Sequence, residues 1–238
     1  MTEHSTNGAG DAAPDDLRAW RKQLRETLLA QRVALPPEAI HACRDAIDRH
    51  LERGFPNLAR GVVAFCWPYK NEHDARFIAR RLRQGGAVTA LPVVVAPRTP
   101  LVFREWHPGV ALARGVYDIP YPRDSREVVP DSVLLPMIAF DDAGYRLGYG
   151  GGFFDRTLAV LSPCPNVIGI AYELGHVPTI HPQAWDVPVA FVVTERGIYE
   201  RRGGRLEFLG APGPAGSALA SPVCYVEEID PDYFGPRE

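Results

Sequence analysis

The first part of the chain carries apolar residues at helical spacing. They predict a helix over residues 16–33 that begins at a capping carboxylate, Asp15 or Asp16. Arg21 and Arg25 are four positions apart and therefore share one face of this helix. The apolar stripe beside them consists of Leu17, Trp20, Leu24 and Leu28.

Further along, short apolar runs alternate with amphipathic segments. Helices are predicted from Pro36 and Pro37 onward, over residues 75–84 and over residues 153–161. Strands are predicted over residues 61–67, 87–96, 101–106, 132–140, 167–172 and 190–195, with 101–106 at an edge of the sheet. Strands that alternate with helices favour the α/β class. We expect a single three-layer αβα domain with a mostly parallel sheet that helices cover on both faces.

Both ends of the chain differ in composition from its middle. The 238 residues, 46% of them hydrophobic, suffice for one sizeable core. We expect a disordered N-terminal tail over residues 1–14, an α/β domain over 15–203, and a C-terminal extension over 204–238. The extension begins with a linker-like stretch, 204–222, that is rich in Gly, Ala, Pro and Ser. The acidic and aromatic segment 224–234 that follows has no assignment.

The composition argues against several classes of function. The net charge of −3 provides no basic surface for a nucleic acid. No apolar run is long enough to span a membrane, and the polar N-terminus lacks the apolar region of a secretory signal. The cysteines are scattered without metal-ligand spacing, which argues against a zinc site or a disulfide framework and fits a reducing, cytoplasmic location. They are Cys43, Cys66, Cys164 and Cys224.

The strongest chemical signal is a glycine-rich segment between a predicted strand and a predicted helix. Residues 146–156 read RLGYGGGFFDR, with four glycines in five positions. Glycines are costly in chain entropy, so the backbone must approach something closely or its N–H groups must converge. An anion at the helix N-terminus explains the pattern, and a flexible turn is the alternative. The segment is not a Walker A loop, and Phe153 replaces the third glycine of the dinucleotide fingerprint.

Four segments, in order, resemble the 5-formyltetrahydrofolate cyclo-ligases, also called methenyltetrahydrofolate synthetases. The segment FDDAGYRLGYGGGFFDRTLA is similar to the signature of this family, and RKQLRETLLAQRVAL to its first helix. NEHDARFIARRLRQGGAVTALPVV and WDVPVAFVVTE are similar to two further family motifs. The resemblance covers roughly residues 17–200. It implies an ATP- and magnesium-dependent enzyme that converts 5-formyltetrahydrofolate to 5,10-methenyltetrahydrofolate and releases ADP and phosphate.

The resemblance also implies which residues bind ATP. Arg21, Lys22 and Arg25 match the basic cluster that reaches the phosphates. Cations and N–H donors that converge on phosphates suit phosphoryl transfer, which depends mostly on positioning and charge neutralisation. A solvated helix face is the alternative interpretation of these basic residues. The nucleotide loop itself comprises Arg146, Leu147, Gly148, Tyr149, Gly150, Gly151, Gly152, Phe153 and Phe154.

Further matches concern the metal and the folate. Asp155 and Asp186 match two positions associated with magnesium, which prefers one or two carboxylates together with phosphate oxygens and water. A first-turn helix acid and a turn residue are the respective alternatives. No side-chain base is assigned, since positioning carries the reaction. The substrate-binding residues implied are Arg25, Trp67, Glu72, Tyr149, Gly150, Gly151, Gly152 and Phe153. Without the family, Trp67 is equally a core residue and Glu72 a helix N-terminal acid.

Three positions depart from the family pattern. Arg21 stands where many relatives carry Lys, Tyr121 where many carry Glu, and Ala190 where an acid is frequent. They keep open a non-catalytic or repurposed paralogue that retains the nucleotide loop. An enzyme of the sugar-phosphate isomerase or CoA-transferase type is a second alternative, while a Ser/His hydrolase lacks its GxSxG motif here. We expect a monomer whose partner is 5-formyltetrahydrofolate, with or without a polyglutamate tail.

Overall fold

Four α-helices lie within residues 13–213, the part of the chain that the computed structural model describes. Asp16 caps the first of them as predicted, because its carboxylate accepts a hydrogen bond from the Ala19 N–H at 2.8 Å. None of the described helices is long and apolar enough to cross a membrane. The helices are α1 Leu17–Val33, α2 Pro37–Gly54, α3 Arg76–Gln84 and α4 Phe153–Leu158, with 3-10 turns at Pro56–Ala59, Val116–Asp118 and Glu173–Gly175.

The described strands form one large sheet and two small ones. They are β1 Val62–Phe65, β2 Val88–Val93, β3 Val102–Trp106, β4 Leu112–Arg114, β5 Pro120–Pro122, β6 Ser132–Pro136, β7 Ala139–Asp141, β8 Arg146–Leu147, β9 Asn166–Ile170, β10 His176–Val177, β11 Phe191–Val193, β12 Ile198–Arg202 and β13 Arg205–Gly210. The large sheet has the order β13-β12-β11-β9-β6-β1-β2-β3, and the small ones are β10-β7-β8 and β4-β5. The neighbours from β11 to β2 run parallel, whereas β3, β12 and β13 add to the edges antiparallel. The predicted α/β class with a mostly parallel sheet is confirmed.

Apolar side chains pack on both faces of the large sheet. Ile47 of α2 and Ile78 of α3 belong to the core on one face. Phe140 belongs to the core on the other face, and Phe154 of α4 packs against it. This arrangement agrees with the predicted three layers. Helix α1 packs through Leu28 against residues of the small sheet β10-β7-β8.

The predicted strand over residues 132–140 is two strands in two different sheets. Pro136 ends β6, and the next two backbone N–H groups turn to different partners. Met137 N donates to Ile170 O at 2.9 Å, whereas Ile138 N donates to Leu147 O at 2.9 Å. The prediction of one continuous strand is therefore wrong. The break moves β7 out of the large sheet and next to β8, where the glycine loop begins.

The prediction of a linker from residue 204 onward is wrong for Arg205–Gly210, which form β13. This strand pairs antiparallel with β12. Gly203 and Gly204 join the two strands with φ of 54° and 81°. Two consecutive left-handed residues form the type I′ turn that suits a tight hairpin, so the large sheet extends to residue 210. Residues 1–12 of the tail predicted over 1–14, and the segment 224–234, lie outside the described residues.

Two smaller differences concern α4 and a cysteine. Helix α4 ends at Leu158, three residues before the predicted end at 161. Cys43 and Cys66 are free thiols, whereas Cys164 is disulfide-bonded. The expectation of a chain without disulfides is therefore wrong for Cys164.

Candidate active site

The glycine loop connects β8 to α4 and needs glycine at three of its positions. Gly150 and Gly152 have φ of 89° and 61°, in the left-handed region that disfavours other residues. Gly151 needs glycine for space, since a Cβ there would lie 2.9 Å from the ring of Phe153. The glycine density in the sequence therefore corresponds to a fixed backbone shape, and the alternative of a merely flexible turn is not needed to explain it.

Helix α1 holds this loop from one side. Arg25 Nε donates to Gly148 O at 2.7 Å, and a Cβ at Gly150 would lie 3.5 Å from the Arg25 guanidinium carbon. Burial, and next the charge of Arg21, lower the pKa of Arg25, against the opposing effect of Asp186. Two neighbouring guanidinium groups thus share a partly buried place beside the loop. An anion bound there would relieve their repulsion.

Arg21 fixes the segment that carries Asp186. Its Nη2 donates to Asp186 Oδ2 at 2.6 Å and to His181 O at 2.7 Å, while its Nε donates to Ile180 O at 3.0 Å. Asp186 Oδ2 also accepts from Gln183 N at 2.8 Å. A planar guanidinium can make these bonds in several directions at once, which the compact ammonium of a lysine does less well. The arginine at position 21 therefore has a defined structural use in this chain.

Arg146 brings the two predicted metal ligands to one part of the molecule. Its guanidinium donates to the carboxylate of Asp155 and to the carbonyl oxygen of Val187, the residue after Asp186. The start of α4 and the segment after Asp186 therefore meet at one buried arginine. Each predicted ligand is ion-paired, Asp155 with Arg146 and Asp186 with Arg21.

Two carboxylates fit magnesium only together with ligands from elsewhere. Within residues 13–213, no group of three or more His, Cys, Asp or Glu side chains could hold a metal ion. Magnesium is usually held by one or two carboxylates, phosphate oxygens and water. Asp155 and Asp186 therefore suit an ion that arrives with a phosphate ligand, and the assignment stays a prediction.

A second group of contacts forms around Glu72, close to the carboxyl end of β1. Arg32 Nη2 donates to Tyr149 Oη at 2.6 Å, and Tyr149 Oη donates to Glu72 Oε1 at 2.8 Å. Tyr69 N donates to Glu72 Oε2 at 3.1 Å. Burial raises the pKa of the Glu72 carboxyl, and the Arg32 charge and both hydrogen bonds oppose that rise. Glu72 is therefore a buried hydrogen-bond acceptor, and these neighbours hold its carboxylate in one orientation.

The turn before Glu72 is strained and tied to α1. Lys70 and Asn71 have φ of 48° and 59°, which costs about 1–3 kcal/mol for each non-glycine residue. Arg32 Nε donates to Lys70 O at 3.0 Å, and Asn71 Nδ2 donates to Val33 O at 3.3 Å. Strained turns persist where their surroundings over-determine them. Here the end of α1 supplies those surroundings and thereby fixes the position of Glu72.

The side chains of four predicted site residues make contacts elsewhere in the structure. Lys22 is largely exposed, with its Nζ 3.9 Å from a Glu26 carboxylate oxygen. The ring of Trp67 carries the Arg76 guanidinium at 4.6 Å and packs against the core. Leu147 and Phe154 direct their side chains into the two cores that flank the loop. Leu147 and Phe154 therefore contribute to the predicted nucleotide site through their backbone.

Arg32 is the site residue that the sequence reading missed. It is 4% exposed, and it donates to Lys70 O, Met137 O and Tyr149 Oη. A signal was available, because Arg32 lies seven positions after Arg25 and so shares its helix face. A charged residue on the face that packs inward has to find partners there.

Comparisons with known proteins agree with this geometry. The model of the 5-formyltetrahydrofolate cyclo-ligase family matches residues 17–195. The 5-formyltetrahydrofolate cyclo-ligase of Escherichia coli K12 is 30% identical over 177 residues, which cover 71% of this chain and 97% of the relative. That of Mycolicibacterium smegmatis is 30% identical over 191 residues, 76% of this chain and 97% of the relative. The NMR structure of Aquifex aeolicus 5,10-methenyltetrahydrofolate synthetase has a TM-score of 0.68 at 27% identity and covers 78% of this chain and 94% of that one.

The mostly parallel sheet with helices on both faces defines an α/β protein, in which a glycine loop held by arginines joins the small sheet to helix α4. The chain belongs to the 5-formyltetrahydrofolate cyclo-ligase family, as the resemblance of its four segments predicts. The match runs from α1 to the end of the WDVPVAFVVTE motif. It places the chain in this family rather than among sugar-phosphate isomerases or CoA-transferases.

Proposed function

We propose that this chain is an ATP-dependent 5-formyltetrahydrofolate cyclo-ligase, which forms 5,10-methenyltetrahydrofolate, ADP and phosphate. The observation that carries the proposal is the position of Tyr149. It stands in the glycine loop, and its hydroxyl donates to Glu72 at 2.8 Å, on the other side of the site. Tyr149 thus belongs to the phosphate-binding loop and also contacts the buried carboxylate that suits a pterin. This arrangement supports a single site in which a nucleotide and a folate react.

The phosphates of ATP lie against the glycine loop and the arginines around it. Arg21, Arg25 and Arg146 converge on this loop or on the carboxylates beside it. Loop N–H groups and fixed cations neutralise the charge that a γ-phosphoryl group carries during transfer. Lys22 reaches the same phosphates only if its side chain turns from its exposed position.

Asp155 and Asp186 hold the magnesium ion that accompanies ATP. When bound, this ion neutralises phosphate charge and orients the γ-phosphoryl group. In the structure each aspartate is paired with a guanidinium, Asp155 with Arg146 and Asp186 with Arg21. If the ion took the place of these partners, Arg146 and Arg21 would be available to phosphate oxygens.

The pterin lies on the side of the loop where Glu72 is. A carboxylate suits the paired N–H donors of the amino-pyrimidine edge. Tyr149 and the turn before Glu72 aim this carboxylate, and Trp67, Arg25 and Phe153 stand at the border with the nucleotide. The glycines Gly150, Gly151 and Gly152 let the folate approach the loop backbone.

The protein contributes mainly orientation to the chemistry. The formyl oxygen on N5 bonds to the γ-phosphorus, and ADP leaves. N10 then attacks the formyl carbon, and phosphate and the N10 proton leave as the ring closes. Holding the formyl oxygen in line with the γ-phosphoryl group is an entropic gain that requires no side-chain base for the first step.

A direct assay tests the proposal. Protein, ATP, magnesium and 5-formyltetrahydrofolate are mixed, and the absorbance of the methenyl product is followed. We expect product only when ATP and a divalent cation are both present. Full turnover after rigorous chelation would contradict the metal assignment. ATP binding without any product would instead favour the non-catalytic paralogue.

The proposed enzyme works as a monomer in the cytoplasm, on folates with or without a polyglutamate tail. Light scattering coupled to size-exclusion chromatography measures the mass of the particle. A mass of one chain, 26.2 kDa, is expected, and a stable dimer would contradict this part of the proposal.

A further inference from the structure

A small pocket lies beside Glu72, at the carboxyl ends of two neighbouring parallel strands. Arg32, Glu72, Met137, Ile170 and Tyr172 are among the residues that line it. Strands β6 and β9 end at Pro136 and Ile170, next to the pocket. In open α/β sheets, ligands bind in the crevice outside the carboxyl ends of the strands. The position of this pocket is therefore that of a ligand site.

Tyr172 lines this pocket and carries an unusual hydroxyl. The residue is 5% exposed, and its Oη is buried without a hydrogen-bond partner among the described residues. The hydroxyls of two other tyrosines are paired: that of Tyr149 donates to Glu72 at 2.8 Å, and that of the buried Tyr199 donates to Glu173 at 2.6 Å. A buried polar atom without a partner destabilises the fold, and native proteins rarely keep one without a reason.

The fold gains nothing from this hydroxyl. The ring of Tyr172 belongs to the core beneath the large sheet, where a phenylalanine ring would pack equally well. The groups that interact electrostatically with its hydroxyl are Cys43, Arg32, Glu195 and Glu72, and two of these, Arg32 and Glu72, line the same pocket. The partner that the hydroxyl lacks is therefore to be found in a molecule bound beside Glu72.

We propose that Tyr172 contacts the substrate and donates a hydrogen bond to the ring carbonyl oxygen of the pterin. This inference rests on the proposed function. The amino-pyrimidine edge presents paired N–H donors, which suit the Glu72 carboxylate, and a carbonyl acceptor directly beside them. An acceptor at that place requires a donor from the protein. Burial raises the pKa of Tyr172, so its phenol keeps its proton and donates at neutral pH.

Tyr172 acts on binding and leaves the chemical step unchanged. The ring carbonyl keeps its bonding while the five-membered ring closes between N5 and N10. A contact that is equal in the ground state and the transition state changes KM and not kcat. Loss of this hydroxyl should therefore weaken folate binding and leave ATP binding unchanged.

The test compares Tyr172→Phe with a matched control, Tyr199→Phe. Tyr172→Phe should raise KM for 5-formyltetrahydrofolate about 3- to 10-fold, as expected for one neutral hydrogen bond, with kcat and KM for ATP unchanged. Its Tm should equal or exceed that of the wild type, because the variant removes an unpaired buried hydroxyl. Tyr199→Phe removes a paired hydroxyl instead and should lower Tm without changing KM.

The opposite pattern would overturn the inference. An unchanged KM for the folate in Tyr172→Phe, with or without a lower Tm, would show that the hydroxyl has only a structural role or is satisfied by water. KM does not depend on the fraction of folded enzyme, so the comparison holds even if the variant folds less completely. A wild-type protein without turnover on 5-formyltetrahydrofolate would instead refute the proposed function itself, which is a distinguishable result.

Discussion

At the scale of single residues, the two predicted metal ligands are each held by an arginine that belongs to the same site. Asp155 pairs with Arg146, and Asp186 with Arg21. The same ion pair is compatible with a carboxylate that only stabilises the fold and with a carboxylate that also binds a metal ion. Substitution separates the two, because only a metal ligand makes turnover depend on magnesium concentration.

Asp155→Asn and Asp186→Asn should each raise the magnesium concentration needed for half-maximal turnover by about 10-fold or more. The double variant should lose much less than the sum, because two ligands of one ion act as a unit. The measurement is turnover against magnesium concentration. Asp118→Asn is the control, since Asp118 forms an exposed ion pair with Arg114 and is not a predicted site residue. Single variants with wild-type magnesium dependence would refute the metal assignment.

Arg32→Gln should impair folate binding and move the acid limb of the kcat/KM profile. Glu72 must be ionised to accept from the pterin, and the Arg32 charge favours its ionised form. Without that charge, the carboxyl stays protonated to a higher pH, so the acid limb shifts upward. Arg18→Gln, which removes a charge from an exposed position on the same helix, should leave the profile unchanged. An unshifted limb in Arg32→Gln would mean that Arg32 serves packing alone.

At the scale of elements, the glycine loop links its shape to its proposed function. Gly152→Val should weaken ATP binding, because the valine disfavours a φ of 61° and its Cβ would lie 2.9 Å from an Arg156 guanidinium nitrogen. Gly203→Val introduces the same strain at a φ of 54°, in the hairpin between β12 and β13. Both should lower stability by about 1–3 kcal/mol, but only Gly152→Val should change ATP affinity. Nucleotide titration and thermal melts of both variants test this.

The sequence predicts α1 and the parallel strands because each has an unambiguous period or apolar run. The prediction fails where backbone hydrogen bonds to distant residues determine the secondary structure. The apolar run 132–140 continues through Pro136, but the N–H groups of Met137 and Ile138 turn to partners in two different sheets. Strand β13 was missed because its mostly exposed residues follow two glycines and precede a Pro- and Ala-rich stretch. The Gly203-Gly204 pair is typical of a β-hairpin turn, but the composition of residues 204–222 favoured a linker instead.

The residues of the candidate site likewise include some that the sequence predicts and some that it does not. The glycine loop and the Arg21–Arg25 pair can be found from local spacing. The Arg32–Tyr149–Glu72 chain joins residues that are 117 and 77 positions apart, which only the fold brings together. Tyr172 follows β9 in a short apolar run and carries no motif. Its unpaired hydroxyl is a property of three-dimensional packing.

At the scale of the whole molecule, the site joins α1, the turn after β1 and the loop before α4. Helix α1 contributes to both halves, through Arg21 and Arg25 on the proposed nucleotide side and Arg32 on the proposed folate side. Tyr149 then connects the two halves directly. A site of this kind should consume ATP only as the folate is converted.

The coupling of ATP to folate is the most direct test of this account. Methenyl product and released phosphate are measured together in one reaction, at saturating ATP and magnesium and with varied 5-formyltetrahydrofolate. We expect one phosphate for each methenyl product and no phosphate release when the folate is omitted. Product without ATP consumption, or ATP hydrolysis at the same rate without folate, would contradict the shared site.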